Sequence, residues 1–316
     1  MNHSIGSSAR GSETQPDVSV VVVNWNTAHM LQRCLASLEA ERGTAGLEVI
    51  VVDNGSTDGS QGLVLKTFPQ VQLIANKENK GFSIANNQGV AASTGRYVFL
   101  LNSDTEVEAG SLRALIEYGD ANPSAGIIGP QLLNFDGSLQ PSGRRFPTPL
   151  STVATLFGVE RLMGRPSYGT RCSYSMPAVV DEVSGAAMVV RREAIEKVGG
   201  LDESFAWGYE DVDLCRRVQQ AGWRVHYFPG AKIKHEWGGS RRLAPSATVL
   251  SAIAGRRHYF AKHHGPASGQ LVMAATLASH LLRSAVFALG GLGDRRLMAR
   301  ARIEWEIVRG MLRRAR

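Results

Sequence analysis

The chain has 316 residues, large for one compact core and small for two full domains, with 43% hydrophobic and 20% charged residues in an ordinary globular balance. A formal charge of +7 admits nucleic acid, an anionic membrane or phosphate-bearing substrates as partners without choosing among them. Cys34, Cys172 and Cys215 are odd in number and lack CxxC spacing, so zinc and a disulfide-stapled secreted fold are set aside in favour of buried thiols in a reducing cytosol.

Met1 to Asp17 is rich in Ser, Gly and Asn and has no apolar stretch, so it reads as a disordered tail and not as a signal peptide. Val18 to Val23 is a continuous β-branched run, as expected of a strand covered on both faces in a parallel sheet. A polar turn, Asn24 to Thr27, leads into a helix with Met30, Leu31, Cys34, Leu35 and Leu38 at helical spacing. Leu47 to Val52 is a second buried strand ending at Asp53. A helix to about Thr67 and a strand from Val71 to Ala75 follow. Asn79 to Phe82 turn into a helix over Ser83 to Ala92, and Tyr97 to Leu101 runs as a strand into Asn102-Ser103-Asp104.

This alternation predicts an α/β domain, Rossmann-like, with a mainly parallel sheet flanked by helices. Ligands of such sheets bind beyond the carboxyl ends of the strands, where Asn24, Asp53 and Asp104 fall. A dehydrogenase is disfavoured, because the first strand leads to Asn24-Trp25-Asn26 and not to GxGxxG.

From Asp136 to Val180 prolines and arginines punctuate an irregular stretch, the pattern of a long functional loop with short helices. Strand character returns over Val183 to Val190, a helix over Glu210 to Gln220, and short strands over Trp223 to Phe228 and Ile233 to His235. After Gly238-Gly239 the composition becomes helical and rich in Ala, Leu and Arg.

Asp104 either presents a hard oxygen ligand for a divalent ion or caps a following helix with Glu106 and Glu108 in its first turn. Asp53 either contacts a ligand or organises an Asx-turn with Gly55. Glu210, Asp211 and Asp213 crowd the first turn of a helix, where the macrodipole favours anions; that suits a general base and equally a structural first turn. His235 is a metal ligand or a satisfied core residue. Arg241 and Arg242, after the glycines, could clamp a phosphate.

Taken together and in order, VVVNWNTAHMLQRCLASL, VIVVDNGSTDGS, NKGFSIANNQGVAASTGRYVFLLNSDTEV, VSGAAMVVRREAIEKVGGLDESFAWGYEDVDLCRR and KIKHEWGGS resemble the family 2 glycosyltransferases, which have the GT-A fold. The resemblance covers roughly Val18 to Ser240 and looks nearest to the bacterial rhamnosyltransferase-like branch. It implies a GT-A domain over 18–240, between the tail at 1–17 and a helical, basic extension at 241–316.

The resemblance also assigns roles. Asp53 would contact the donor base, Asp104 would bind Mg²⁺ or Mn²⁺ with His235, and Asp211 would be the general base, with Glu210 beside it. Asn24, Asn26, Asn79, Gly81, Asn86, Asn102, Ser103 and Arg241 complete the expected donor set, and Gly185, Trp207 and Glu210 the acceptor set. The family's DxD element reads Asn102-Ser103-Asp104 here, so its first carboxylate is an amide without charge.

The implied reaction is an inverting, metal-dependent transfer of a sugar, L-rhamnose from dTDP-rhamnose as the nearest branch suggests. The acceptor would be lipid-linked through a polyprenyl diphosphate, or a cell-wall glycan. A non-catalytic binding protein of the same fold is the alternative. Nucleic acid is not expected, since the arginines lack interleaved aromatics and no helix-turn-helix or zinc pattern occurs.

Leu271 to Leu292 is long enough to suggest a membrane span. Thr276, Ser279, His280, Arg283 and Ser284 form a polar stripe on it, which argues for an interface or a core-packed helix. Downstream arginines outnumber acids, so the extension is expected either to contact anionic lipid at the cytoplasmic face of the inner membrane or to cap the catalytic domain.

Overall fold

A computed structural model describes residues 15–43, 46–159, 173–236, 245–291 and 294–314. Its first half winds as β1 (Val18–Asn24), α1 (Ala28–Ala40), β2 (Leu47–Asp53), α2 (Ser60–Thr67), β3 (Gln72–Ala75), α3 (Phe82–Ala92) and β4 (Tyr97–Asn102). Val20 to Val22, Ile50 to Val52, Val98 and Phe99 are all buried. Helices cover both faces of these strands, which is why the runs do not alternate. α1 closes one face with Leu31, Cys34, Leu35 and Leu38.

The second half comprises β5 (Thr105–Val107), α4 (Ser111–Ala121), β6 (Ala125–Leu133), β7 (Leu139–Gln140), α5 (Pro149–Leu156), β8 (Ala178–Val180), β9 (Ala187–Arg191), α6 (Arg192–Val198), α7 (Glu210–Gln220) and β10 (Arg224–His235). Three helices follow: α8 (Pro245–His264), α9 (Pro266–Gly290) and α10 (Arg295–Arg314).

One sheet runs in the order β3-β2-β1-β4-β9-β6-β10-β5. It is parallel from β3 to β4 and again between β6 and β10, while β9 lies antiparallel to both β4 and β6. The sheet is therefore mixed, and the parallel character expected from the sequence belongs chiefly to its first half.

Four local expectations change. The helix that Asp104 would have capped is absent: Thr105–Val107 pairs with β10, and α4 begins only after Gly110 at φ +78°. The strand expected over Val183 to Val190 starts at Ala187, because Ala187 N–H closes a turn on Ser184 O. The two short strands near the end of the domain are one, β10, interrupted by a bulge between Phe228 and Lys232. α4 and β6 were not anticipated.

The C-terminal helices share a core with the sheet domain. Phe205 and Val212 pack with Tyr259, Phe260 and Val272 in one buried cluster. Asp213, wholly buried on α7, is bound by Lys262 and His263 of α8 at 2.8 and 2.7 Å, and by Arg217 at 2.6 Å. Burial alone would raise the Asp213 pKa, but bonds from Lys262, Arg217 and His263 outweigh it and hold the carboxyl below its usual range.

Candidate active site

Parallel register places Asn24 beside Asp53, and Val23 beside Asn102, so three strand ends meet at one edge. A chain of hydrogen bonds joins them. Thr27 Oγ1 donates to Asn24 Oδ1 at 2.7 Å, which leaves Ser103 Oγ as the donor to Thr27 at 2.9 Å; Asn24 Nδ2 donates to Asp53 Oδ2 at 2.9 Å. Asp53 Oδ1 accepts from Ser56 N at 3.0 Å and Gln61 Nε2 at 2.8 Å.

Asp53 and Asn24 are both wholly buried. Asp53 organises its own turn through the N–H of Ser56, three residues on, and not through Gly55 as an Asx-turn would.

Asn26, at φ +53°, accepts from Thr57 N at 2.8 Å and ties the first loop to the second. Asn79 Oδ1 accepts from Gly81 N and from Asn54 Nδ2, each at 2.9 Å. Gly81 sits at φ +96°, a conformation that favours glycine. Asn54, which sequence reasoning passed over, organises this loop by accepting from Lys80 N at 3.0 Å and donating to Gly81 O at 3.2 Å. Asn86 is buried and donates to Phe82 O within its own helix.

The second group is Asp104 with His235. The β5–β10 pair sets Thr105 opposite His235, which brings the two side chains together, with His235 Nε2 at 3.5 Å from Asp104 Oδ1. Gln140 Nε2 donates to Asn134 Oδ1 at 2.6 Å and to the His235 carbonyl at 2.7 Å. Gln140 Oε1 must therefore be the acceptor facing His235 Nδ1 at 2.9 Å, and Nδ1 carries the proton. In the neutral ring the lone pair is then on Nε2.

Asp104 Oδ1 and Asn102 Oδ1 are buried without a hydrogen-bond partner. Ligands at about 2.1 Å from one ion lie about 3 Å apart when at right angles. Two electron-pair donors at 3.5 Å thus fit a shared Mg²⁺ or Mn²⁺ whose remaining positions go to phosphate and water. Among the described residues no group of three or more His, Cys, Asp or Glu is placed to hold a metal ion.

The third group surrounds Asp211. Gly208 and Tyr209 both have positive φ, turning the chain sharply into α7. Asp211 Oδ2 accepts from Gly185 N and Oδ1 from Val212 N, each at 2.9 Å, which fixes the carboxylate's orientation. Gly185, expected on the acceptor side, thus positions the expected base. The next residue, Ala186, accepts from Asn102 N at 3.0 Å, so one loop links Asp211 to the Asn102-Ser103-Asp104 segment.

Glu210 is buried with Oε2 lacking a hydrogen-bond partner. Burial, and then the charge of Asp211, push its pKa well above the ordinary carboxyl range. A protonated Glu210 donates where Asp211 accepts. Glu182, also missed in the sequence, is buried with Arg144 at 3.8 Å and is pushed up to about 8 by burial and by Asp211. Its only sequence signal was a place beside Asp181 between two short apolar stretches.

Trp207 is 37% exposed on the loop before α7. α8 presses on that loop: a Cβ at Gly255 would stand 2.2 Å from Gly208 O, so only glycine permits the approach. Arg241, with Trp237 to Ser240, lies outside the described residues, as do Arg161, Arg165, Arg171 and Cys172.

The profile of glycosyl transferase family 2 matches residues 19–199, and one described as the N-terminal domain of galactosyltransferase matches residues 170–236. The N-acetylglucosaminyl-diphospho-decaprenol L-rhamnosyltransferase of Mycobacterium tuberculosis is 30% identical over 295 residues, covering 83% of this chain and 92% of that protein. The pre-mycofactocin glycosyltransferase of the same organism is 32% identical over 226 residues, 70% of this chain and 43% of that protein.

Among solved structures, a Pyrobaculum calidifontis mannosyltransferase in complex with GDP-Man and Mn²⁺ superposes with a TM-score of 0.53 at 19% identity, covering 95% of this chain and 88% of that one. GalNAc-T7 with UDP, GalNAc and Mn²⁺ gives 0.54 at 17% identity, covering 81% and 52%. At these identities the structures show the fold alone.

Proposed function

The chain belongs to glycosyl transferase family 2 and is a glycosyltransferase of GT-A fold, and from that premise we propose that it moves L-rhamnose from dTDP-rhamnose, with inversion, onto a lipid-linked glycan acceptor. The observation that carries the reading is the loop at Gly185-Ala186, which holds Asp211 on one side and the segment bearing Asp104 on the other. The rhamnose and the prenyl-diphosphate acceptor are suggested by the name of the Mycobacterium tuberculosis relative, which this chain spans for 92% of its length.

In this reading Asp211 takes the proton of an acceptor hydroxyl as that oxygen bonds to the anomeric carbon. The bond from that carbon to the diphosphate breaks on the opposite face, and its electron pair leaves with the diphosphate. Glu210, kept protonated by burial, donates a hydrogen bond to the acceptor. Gly185 N–H holds Asp211 in line, so the base does not swing away between turnovers. Asp104 and His235 would hold Mg²⁺ or Mn²⁺, which when bound supplies positive charge for the departing diphosphate. Asn24, Asn26, Asp53, Asn79 and Gly81 shape the loops that would receive the base and ribose. A lipid-linked acceptor would bring the enzyme to the cytoplasmic face of the inner membrane.

The direct test incubates the protein with dTDP-rhamnose, Mg²⁺ and a short-chain prenyl-diphosphate N-acetylglucosamine, with mass spectrometry for product and NMR for the new anomeric configuration. An inverted rhamnosyl product is expected. A product from another nucleotide sugar would replace the donor, and retention of configuration would overturn the mechanism.

A further inference from the structure

α10 turns two parallel stripes outward. Met298, Trp305 and Leu312 recur every seventh residue and are 37%, 47% and 48% exposed. Arg295, Arg302 and Arg309 recur at the same interval, three residues earlier, and are exposed as well. Seven residues are close to two helical turns, so each set forms a line, and an offset of three lays the lines side by side. The adjoining face is occupied: Ala301 and Val308, three residues on from Met298 and Trp305, are buried with Ile307 and Met311 in the helical bundle.

The helix carries seven arginines and two glutamates. Glu304 is turned inward, with His280 Nδ1 at 2.5 Å, and does not offset the outer face. Glu306 is the one exposed carboxylate of the helix among the described residues.

α9 is long and apolar enough to cross a membrane by length and composition. Its Thr276, Ser279 and His280 are nevertheless buried against the protein. His280 is bonded to Glu304, and Ser284 Oγ donates to Ala301 O at 3.2 Å. Drawing α9 alone into a bilayer would break these bonds, so the two helices act as a unit.

We propose that the outer face of α10 docks flat on an anionic lipid bilayer, with Met298, Trp305 and Leu312 at the boundary between headgroups and acyl chains. Arg295, Arg302 and Arg309 then meet the lipid phosphates. An apolar line flanked by cations matches that boundary, and Trp is favoured there. A second copy of the chain would bring more arginines and few acids to face them. Nucleic acid would suit the arginines but leave the apolar line uncovered.

The docked face connects to the site. α10 packs on α8 through Ile253, Ile307 and Met311. α8 in turn is bound to α7 through Asp213. Docking would therefore hold the Asp211 turn at a set height above the lipid surface. The inference deepens the lipid-linked acceptor reading by naming the surface that meets the lipid.

The test is flotation of the full chain with vesicles of phosphatidylcholine alone and of phosphatidylcholine with phosphatidylglycerol. Binding to the anionic vesicles is expected to weaken steeply with salt. The triple variant Arg295→Glu, Arg302→Glu, Arg309→Glu should lose on the order of 100-fold in partitioning or more. Trp305→Ser should lose on the order of 10-fold without any change of charge. Circular dichroism and the thermal midpoint establish that both variants fold.

Equal binding to neutral vesicles, or an unaffected triple variant, overturns the proposal. So does a dimer in light scattering that the variants dissolve, which would make the occupant a second copy. Transfer to a lipid-free acceptor fragment is assayed alongside. Its failure with vesicle binding intact counts against the reaction and not against this surface.

Discussion

His235 Nε2 lies 3.5 Å from Asp104 Oδ1, and the Gln140 amide across the ring holds a proton on Nδ1, so that the neutral ring presents the Nε2 lone pair to the carboxylate. Two electron-pair donors at that separation repel unless a cation or a proton lies between them. Gln140→Leu removes the partner of Nδ1 and should lower Mn²⁺ affinity by about 10- to 100-fold, as losses of such outer partners do. Calorimetric titration with a nucleoside diphosphate present measures this. EDTA should abolish transfer and either ion restore it; full activity in EDTA would show that protein cations alone stabilise the diphosphate.

A second prediction concerns Gly185. A Cβ there would stand 3.0 Å from Asp211 Cβ and 3.3 Å from Oδ2, close enough to push the carboxylate aside. Gly185→Ala should therefore reduce kcat by about 10- to 100-fold, the scale expected of a small misplacement, while donor KM stays near its original value. Steady-state kinetics separates the two. A change confined to KM would mean that Gly185 serves binding alone.

Gly255→Ala probes the contact between α8 and the turn ahead of Asp211. The new methyl would meet the Gly208 carbonyl at 2.2 Å, and backbone on both sides leaves little room to yield. A loss of about 1–3 kcal/mol in denaturant unfolding is expected, the usual cost of overpacking. Turnover should fall with it, because the displaced segment carries Glu210 and Asp211.

Glu182 predicts a pH dependence of stability. Burial, with the Asp211 charge, pushes its pKa from an ordinary 4.5 up to about 8. Between those values the folded chain keeps a proton that the unfolded chain has released. The contribution to stability is therefore fully present at low pH and is lost as pH rises through the folded pKa. Glu182→Gln cannot titrate, so its thermal midpoint relative to the parent should rise from about pH 5 to about pH 8. A constant difference across that window would mean that Glu182 is charged throughout.

The strands that line the site could be read from composition. Val18–Asn24, Leu47–Asp53 and Tyr97–Asn102 are apolar runs interrupted only near their starts, at Ser19 and Glu48, and each ends on a polar residue at the cleft. β6 escaped because Gly126, Gly129 and Pro130 depress strand propensity. Its place is secured by neighbours on both sides, β9 and β10, which local sequence does not report. Asp213 looked like one more acid in a helix's first turn. Its partner His263 is distant along the chain, and only the fold brings them within 2.7 Å. Glu182 was hidden for the same reason, since its burial and its proximity to Asp211 are tertiary facts.

Asp211 as the base is tested most directly by comparing Asp211→Asn with the parent enzyme in donor binding and in single-turnover transfer. Donor affinity should stay near the parental value, while turnover falls by about 10²- to 10⁴-fold, the range that general-base catalysis supplies. Turnover near the parental rate in Asp211→Asn would contradict the account.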